Sequence, residues 1–117
     1  MTLLEALNAA NVDVEVTLHR FGGNETLLER FVRKFPSDET FSQLEQSVEE
    51  KQFDAMERAA HTLKGTSANL GFQELSDRCA ALVSAIRQDS KEDAEPLFGR
   101  IAEEYHKIME LVAAIDC

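Results

Sequence analysis

The chain reads as all-α, an antiparallel bundle of amphipathic helices, and three observations carry that reading. Apolar residues recur at helical spacing along most of its 117 residues. Turn-forming residues cut the pattern into segments joined by short connections, as antiparallel neighbours in a bundle require. The one run that alternates with period two, Val12, Val14, Val16 and Leu18, would by itself indicate a strand, yet no second strand exists to pair with it. It is therefore read as helical.

Taken in order, Leu3, Leu4 and Leu7 make a short apolar lead, and the Val12 to Leu18 run follows until Gly22-Gly23 ends it. Asn24 can cap the next helix, whose Leu27, Leu28, Phe31, Val32 and Phe35 keep helical spacing until Pro36 stops it. Ser37 and Asp38 can cap a third helix to about Glu50, with Phe41, Leu44 and Val48 inward. Glu49, Glu50 and Lys51 mark the turn into the segment from Phe53 to Gly71, where Gly71 followed by apolar Phe72 has the pattern of a Schellman ending. Leu75, Cys79, Leu82, Val83 and Ile86 give the following helix its core face. Gln88 to Lys91 forms the connection, and Ser90-Lys91-Glu92-Asp93 offers a cap. Pro96 is placed to kink the last helix or delay its start. From Leu97 the spacing is regular through Ile101, Tyr105, Ile108, Leu111, Val112 and Ile115, leaving His106 and Lys107 towards solvent.

No repeat, low-complexity tract or linker divides the sequence, and 44% hydrophobic residues are ample for one core, so residues 1–117 are expected to form one domain. Lys plus Arg number 12 against 22 Asp plus Glu, and the formal charge of -10 argues against nucleic acid or an anionic membrane as partner. Proteins remain. The start has no basic region followed by an apolar run, and no long apolar stretch occurs elsewhere, so a soluble cytoplasmic protein is expected. Cys79 and Cys117 are too few for a disulfide framework and lack metal-ligand spacing; Cys79 reads as core.

The Phe53 to Gly71 helix separates two faces. At about 100° per residue, Met56, Ala59, Leu63, Thr66 and Leu70 fall in one sector, which must be buried. His61 points away from it, while Glu57, Lys64, Gly65 and Ala68 lie within about 60° of the histidine. A lone helical histidine is more often an ordinary core or surface residue, but its neighbours here are unusual. Lys64 at i+3 sets an ammonium beside the imidazole, and Gly65 at i+4 leaves bare backbone. An interior glycine costs a helix about 1 kcal/mol against alanine, and close approach by another molecule is a reason to keep one. Asp54, Glu57 and Arg58, taken singly, read as a solvated polar face.

His61-Thr62-Leu63-Lys64-Gly65, followed by small Thr66-Ser67-Ala68 and then Asn69-Leu70-Gly71, resembles the signature of the histidine phosphotransfer (HPt) domains of bacterial multistep phosphorelays. The resemblance extends upstream through Arg20-Phe21-Gly22-Gly23-Asn24-Glu25, similar to R-[LF]-G-G-[DN]-[ED], and downstream through Glu74-Leu75-Ser76. It departs at Gln52-Phe53, where such domains often carry Asp and then an aromatic residue. It implies a four-helix bundle with additional short N-terminal helices, the histidine helix being one of the four. It further implies response-regulator receiver domains, a hybrid sensor kinase, or both as partners, with Mg²⁺ belonging to the receiver's aspartate pocket. No cofactor or metal is expected on this chain.

On this reading His61 is the phosphorylated nucleophile, relaying a phosphoryl group between receiver aspartates, and Lys64 stabilises phosphoryl charge. Gly65, Ala68, Glu57, Arg58 and Asn69 form the receiver-docking face, with Glu57 at i−4 also a candidate to orient the ring. An imidazole in water, with a reference pKa of about 6.5, is largely neutral in the cytoplasm and keeps a lone pair for attack on phosphorus.

Competing classes fit less well. A kinase needs a nucleotide site, and there is no P-loop or suitable Gly-rich phosphate loop, so an autonomous enzyme is not expected. The dimerising histidine domain of sensor kinases usually has an acidic residue directly after its histidine, where Thr62 stands here. A metal-carboxylate bundle needs inward Glu-x-x-His pairs, and His19 and His106 have no such companions and read as surface. The alternative is a non-phosphorylated helical-bundle adaptor that binds receivers; the intact His61, Lys64 and Gly65 argue against it. One unpaired histidine on a bundle suggests a monomer, and Met1 with a full set of helices favours a free-standing shuttle over a piece of a hybrid kinase.

Overall fold

The computed structural model describes residues 1–116; Cys117 lies outside the described residues. Helices run in the order α1 (Leu3–Ala9), α2 (Val14–Arg20), α3 (Glu25–Lys34), α4 (Thr40–Glu49), α5 (Phe53–Asn69), α6 (Gln73–Arg87) and α7 (Ala94–Ala113), with 3₁₀ turns at Phe35–Ser37 and Lys91–Asp93. No strand occurs among the described residues. No helix among them is long and apolar enough to cross a membrane.

The alternating N-terminal run is helical only from Val14. A capping box starts α1, with the Thr2 hydroxyl accepting from the Glu5 N–H at 3.1 Å and the Glu5 carboxylate accepting from the Thr2 N–H at 2.8 Å. Asn11 then takes a left-handed φ of 61°, and Asp13 caps α2 by accepting from the Val16 N–H at 3.2 Å. Residues two apart lie about 200° apart around a helix, so a period-two run cannot all face inward. Val16 is accordingly 52% exposed, and Thr17 takes the buried place beside it.

Asn24 caps α3 as expected, accepting from the Leu27 N–H at 2.9 Å. Its buried line is Leu28, Val32 and Phe35, whereas Phe31, expected on that face, is 45% exposed with its ring 5.6 Å from that of Phe21. Pro36 turns the chain, and Asp38 accepts from the Thr40 N–H at 2.8 Å at the start of α4. Phe41, Leu44 and Val48 are buried there, as their spacing predicts. Gln52 precedes α5 without a side-chain cap, so the departure from the family pattern leaves the first N–H groups of α5 without a side-chain acceptor.

α5 packs on α4 on one flank and on α6 on the other, and α7 packs on α6 and returns to α4. The inward set of α5 is consequently wider than one stripe: Ala60 and Ser67 are buried with Met56, Ala59, Leu63 and Leu70, while Thr66 is half-buried. α5 and α6 run antiparallel, because the Ser76 hydroxyl donates to the Lys64 carbonyl at 3.0 Å and Arg87 meets Glu57 at 3.5 Å. Phe41 of α4 stacks on Tyr105 of α7 with centroids 3.8 Å apart and also lies 5.6 Å from the exposed His106, closing the bundle.

At the last connection one expectation fails and one holds. Ser90 makes no side-chain cap bond. The α-helix starts late, at Ala94 after the 3₁₀ turn Lys91–Asp93, so Pro96 is its third residue, where an N–H would have no intrahelical acceptor. Cys79 is fully buried, and burial pushes its thiol up to about 12, so it is no nucleophile at neutral pH.

The turn between α5 and α6 is a Schellman ending. Gly71 has φ 86°, its N–H donates to the Ala68 carbonyl at 3.1 Å, and the Phe72 N–H donates to the Ser67 carbonyl at 2.8 Å. A β-carbon on Gly71 would collide with the Thr17 hydroxyl and with Val12 at 2.7 Å. Gly71→Ala is therefore expected to lose about 2 to 5 kcal/mol of stability in urea unfolding, from left-handed strain and overpacking together. A near-neutral result would show that α2 does not pack against this turn.

Candidate functional site

His61 lies midway along α5 on the strip that neither α4 nor α6 covers, and its side chain is exposed. The residues on either side of that strip fix its position: Ala60 is 0% and Leu63 1% exposed, so the backbone carrying the histidine is seated in the core.

The expected site residues gather around it. Lys64, half-buried one turn later, has its carbonyl tied to α6 by Ser76. Arg58, exposed one turn earlier, borders a shallow hollow with Gln43, Ala55, Ala59 and Thr62 between α4 and α5. These two cations stand about 60° to either side of His61 around the helix. Ala68 is half-buried and Asn69 exposed at the C-terminal end of the strip. Gly65 is exposed, and a β-carbon there would meet nothing within 4 Å.

Glu57, on the turn before His61, has a charged partner of its own. Its carboxylate is paired with Arg87, the last residue of α6, at 3.5 Å. Arg87 was not legible as part of this face, since only the antiparallel register brings it there. Arg20 is the second addition: its guanidinium donates to the Asn69 carbonyl at 2.9 Å and, at 3.1 Å, to the Ala68 carbonyl, which also accepts from the Gly71 N–H. The arginine that opens the Arg20-Phe21-Gly22-Gly23 motif thus fastens α2 to the C-terminus of the histidine helix. Its signal was the motif; its task was visible only in the fold.

A hollow of about 490 Å³ lined by Val48, Lys51, Phe53, Met56, Lys91 and Pro96 opens at the N-terminal end of α5. It lies about 12 Å along the axis from His61 and does not include it. No group of His, Cys, Asp and Glu able to hold a metal occurs among the described residues. The site is therefore a convex strip with an accessible ring nitrogen, flanking cations and bare backbone at Gly65, a shape that a macromolecule can cover.

Because Gly65 has open space around it, its small size is not required by packing within the chain. Gly65→Ala is expected to stabilise the isolated protein by up to about 1 kcal/mol through helix propensity, read as a higher urea midpoint. A lower midpoint would mean that the bundle, not a partner, requires the glycine.

A family model described as the Hpt domain matches residues 27–114, which span α4 to α7 and most of α3. No curated protein and no solved structure matches the chain. The matched span contains the whole of α5 with His61, Lys64 and Gly65, and its helical architecture is that of Hpt domains, which serve phosphotransfer in phosphorelays as carriers rather than kinases. The chain belongs to the Hpt domain family.

Proposed function

We propose that this protein is a phosphocarrier that relays a phosphoryl group between receiver-domain aspartates through a phosphohistidine at His61. The observation that carries the reading is the exposed imidazole on α5 between Arg58 and Lys64, with unobstructed backbone at Gly65. A ring nitrogen attacks the phosphorus of an aspartyl phosphate in line. The N–P bond forms as the P–O bond to the partner's carboxylate breaks; the electron pair leaves with that carboxylate, and the other ring nitrogen keeps its proton.

Little covalent work falls to the protein in such a transfer, which depends on positioning and on charge stabilisation. Lys64 supplies positive charge to the phosphoryl oxygens from the next turn. Gly65 and Ala68 let the partner's pocket come down onto the ring, with Glu57, Arg58 and Asn69 at its margins. Mg²⁺ is brought by the receiver. A single phosphoaccepting histidine needs no second copy of the chain, so the carrier acts as a monomer in the cytoplasm.

Incubation with a phosphorylated receiver and Mg²⁺ is expected to place acid-labile, base-stable label on this chain. His61→Gln is expected to keep helicity and melting and to take no label; label persisting at His19 or His106 would refute the assignment. Lys64→Ala is expected to slow transfer about tenfold, the scale of one charge-assisted contact of about 1.4 kcal/mol. Single-turnover transfer from the same receiver reads this directly, and a parental rate would reduce Lys64 to a solvated helix residue.

A further inference from the structure

We propose that Arg87 is a second phosphoryl-binding cation, parked beside His61 on Glu57 and transferred to the phosphoryl oxygens once the histidine carries them. The proposal rests on His61 being the phosphoacceptor. Glu57 precedes His61 by four residues, about 6 Å along the axis and about 40° around it, so its carboxylate marks the same solvent strip. Arg87 comes from the last turn of the antiparallel α6 and meets that carboxylate through Nε at 3.5 Å. Its guanidinium therefore stands about one helical turn before the histidine, while Lys64 stands about one turn after it. A phosphoryl group on His61 would lie between two cations contributed by different helices.

The pair is poorly explained as a brace. It has one long contact, and its side chains are 59% and 34% exposed, a setting in which an ion pair adds little stability. Its electrostatic consequence is larger. Asp54 and Glu57 both lie on the strip of a chain carrying a formal charge of -10, and an arriving phosphoryl group adds further negative charge. Arg87 neutralises the nearer of the two carboxylates while the histidine is empty. When the phosphoryl group is present, the guanidinium finds an acceptor with more charge and with paired oxygens that suit its fork. The move is about one helical turn, within the swing of a long exposed side chain, and the vacated Glu57 remains in water.

The test compares Arg87→Ala, Arg87→Lys and Glu57→Gln with the parent protein, each equilibrated with one phosphorylated receiver and Mg²⁺. The readouts are the ratio of phosphohistidine to phosphoaspartate, the pH titration of the phosphohistidine ³¹P resonance, and melting. Arg87→Ala is expected to melt as the parent does, to lower the ratio about threefold to tenfold, and to move the ³¹P titration to higher pH, since losing a cation makes the phosphoryl group harder to ionise. Arg87→Lys is expected to restore part of the ratio, and Glu57→Gln to raise it. A ratio and titration unchanged in Arg87→Ala would overturn the proposal. So would equal losses in Arg87→Ala and Glu57→Gln, the behaviour of a structural brace. Absence of label on the parent protein would instead overturn the phosphotransfer reading itself.

Discussion

Everything at the site depends on α5 being packed along two flanks at once. α4 covers one side and α6 the other, and Ala60, Leu63 and Ser67 are driven into the core with Met56 and Leu70. What remains to solvent is a strip one or two residues wide, running through Asp54, Arg58, His61, Gly65 and Asn69. A helix buried on one face only would offer a broad polar surface and many orientations for a partner. Here the core limits where the histidine can be, because shifting it along or around the axis would move fully buried side chains out of a close-packed interior.

The ends of α5 are held differently, and the difference follows from chain chemistry. At the C-terminus, Gly71 reverses the chain, and Arg20 bonds two of the last carbonyls. Gly71 also lets α2 lie close, since its missing β-carbon is the space that Thr17 and Val12 occupy. At the N-terminus, Gln52 gives no side-chain cap. The strongly fastened end is thus the one nearer Gly65, Ala68 and Asn69, the residues proposed to meet the receiver. The short N-terminal helices are not an ornament on the bundle; α2 fixes the end of the proposed docking face.

The sequence was most informative where a single helix decides the outcome. Opposite placement of Leu63 and His61 needs only the helical repeat, and the Gly71-Phe72 ending needs only local backbone preference. It was less informative where several elements compete for one residue. Phe31 has the spacing of a core residue, yet Leu28, Val32 and Phe35 fill the inward side of α3 and leave it 45% exposed. Pro96 looks like a helix breaker until the start of α7 is known. Arg20 and Arg87 act on α5 from distances of 48 and 30 positions along the chain, and no periodicity records such pairings.

Rigid placement of the histidine backbone and freedom of its ring are complementary. The ring is exposed on the solvent strip of α5. In the proposed relay the receiver excludes water and brings the metal that polarises the phosphoryl oxygens, and this chain adds a nucleophile at a defined height with cations around it. Such a division suits traffic in both directions. If the carrier built a deep phosphate site of its own, the phosphohistidine would be trapped in it, whereas exposed charge-assisted contacts are weak enough to be exchanged for those of the next partner. The open space at Gly65 and the long, exposed Arg87–Glu57 contact fit that requirement: neither is demanded by packing within the chain, and both leave the strip open to a partner in the proposed relay.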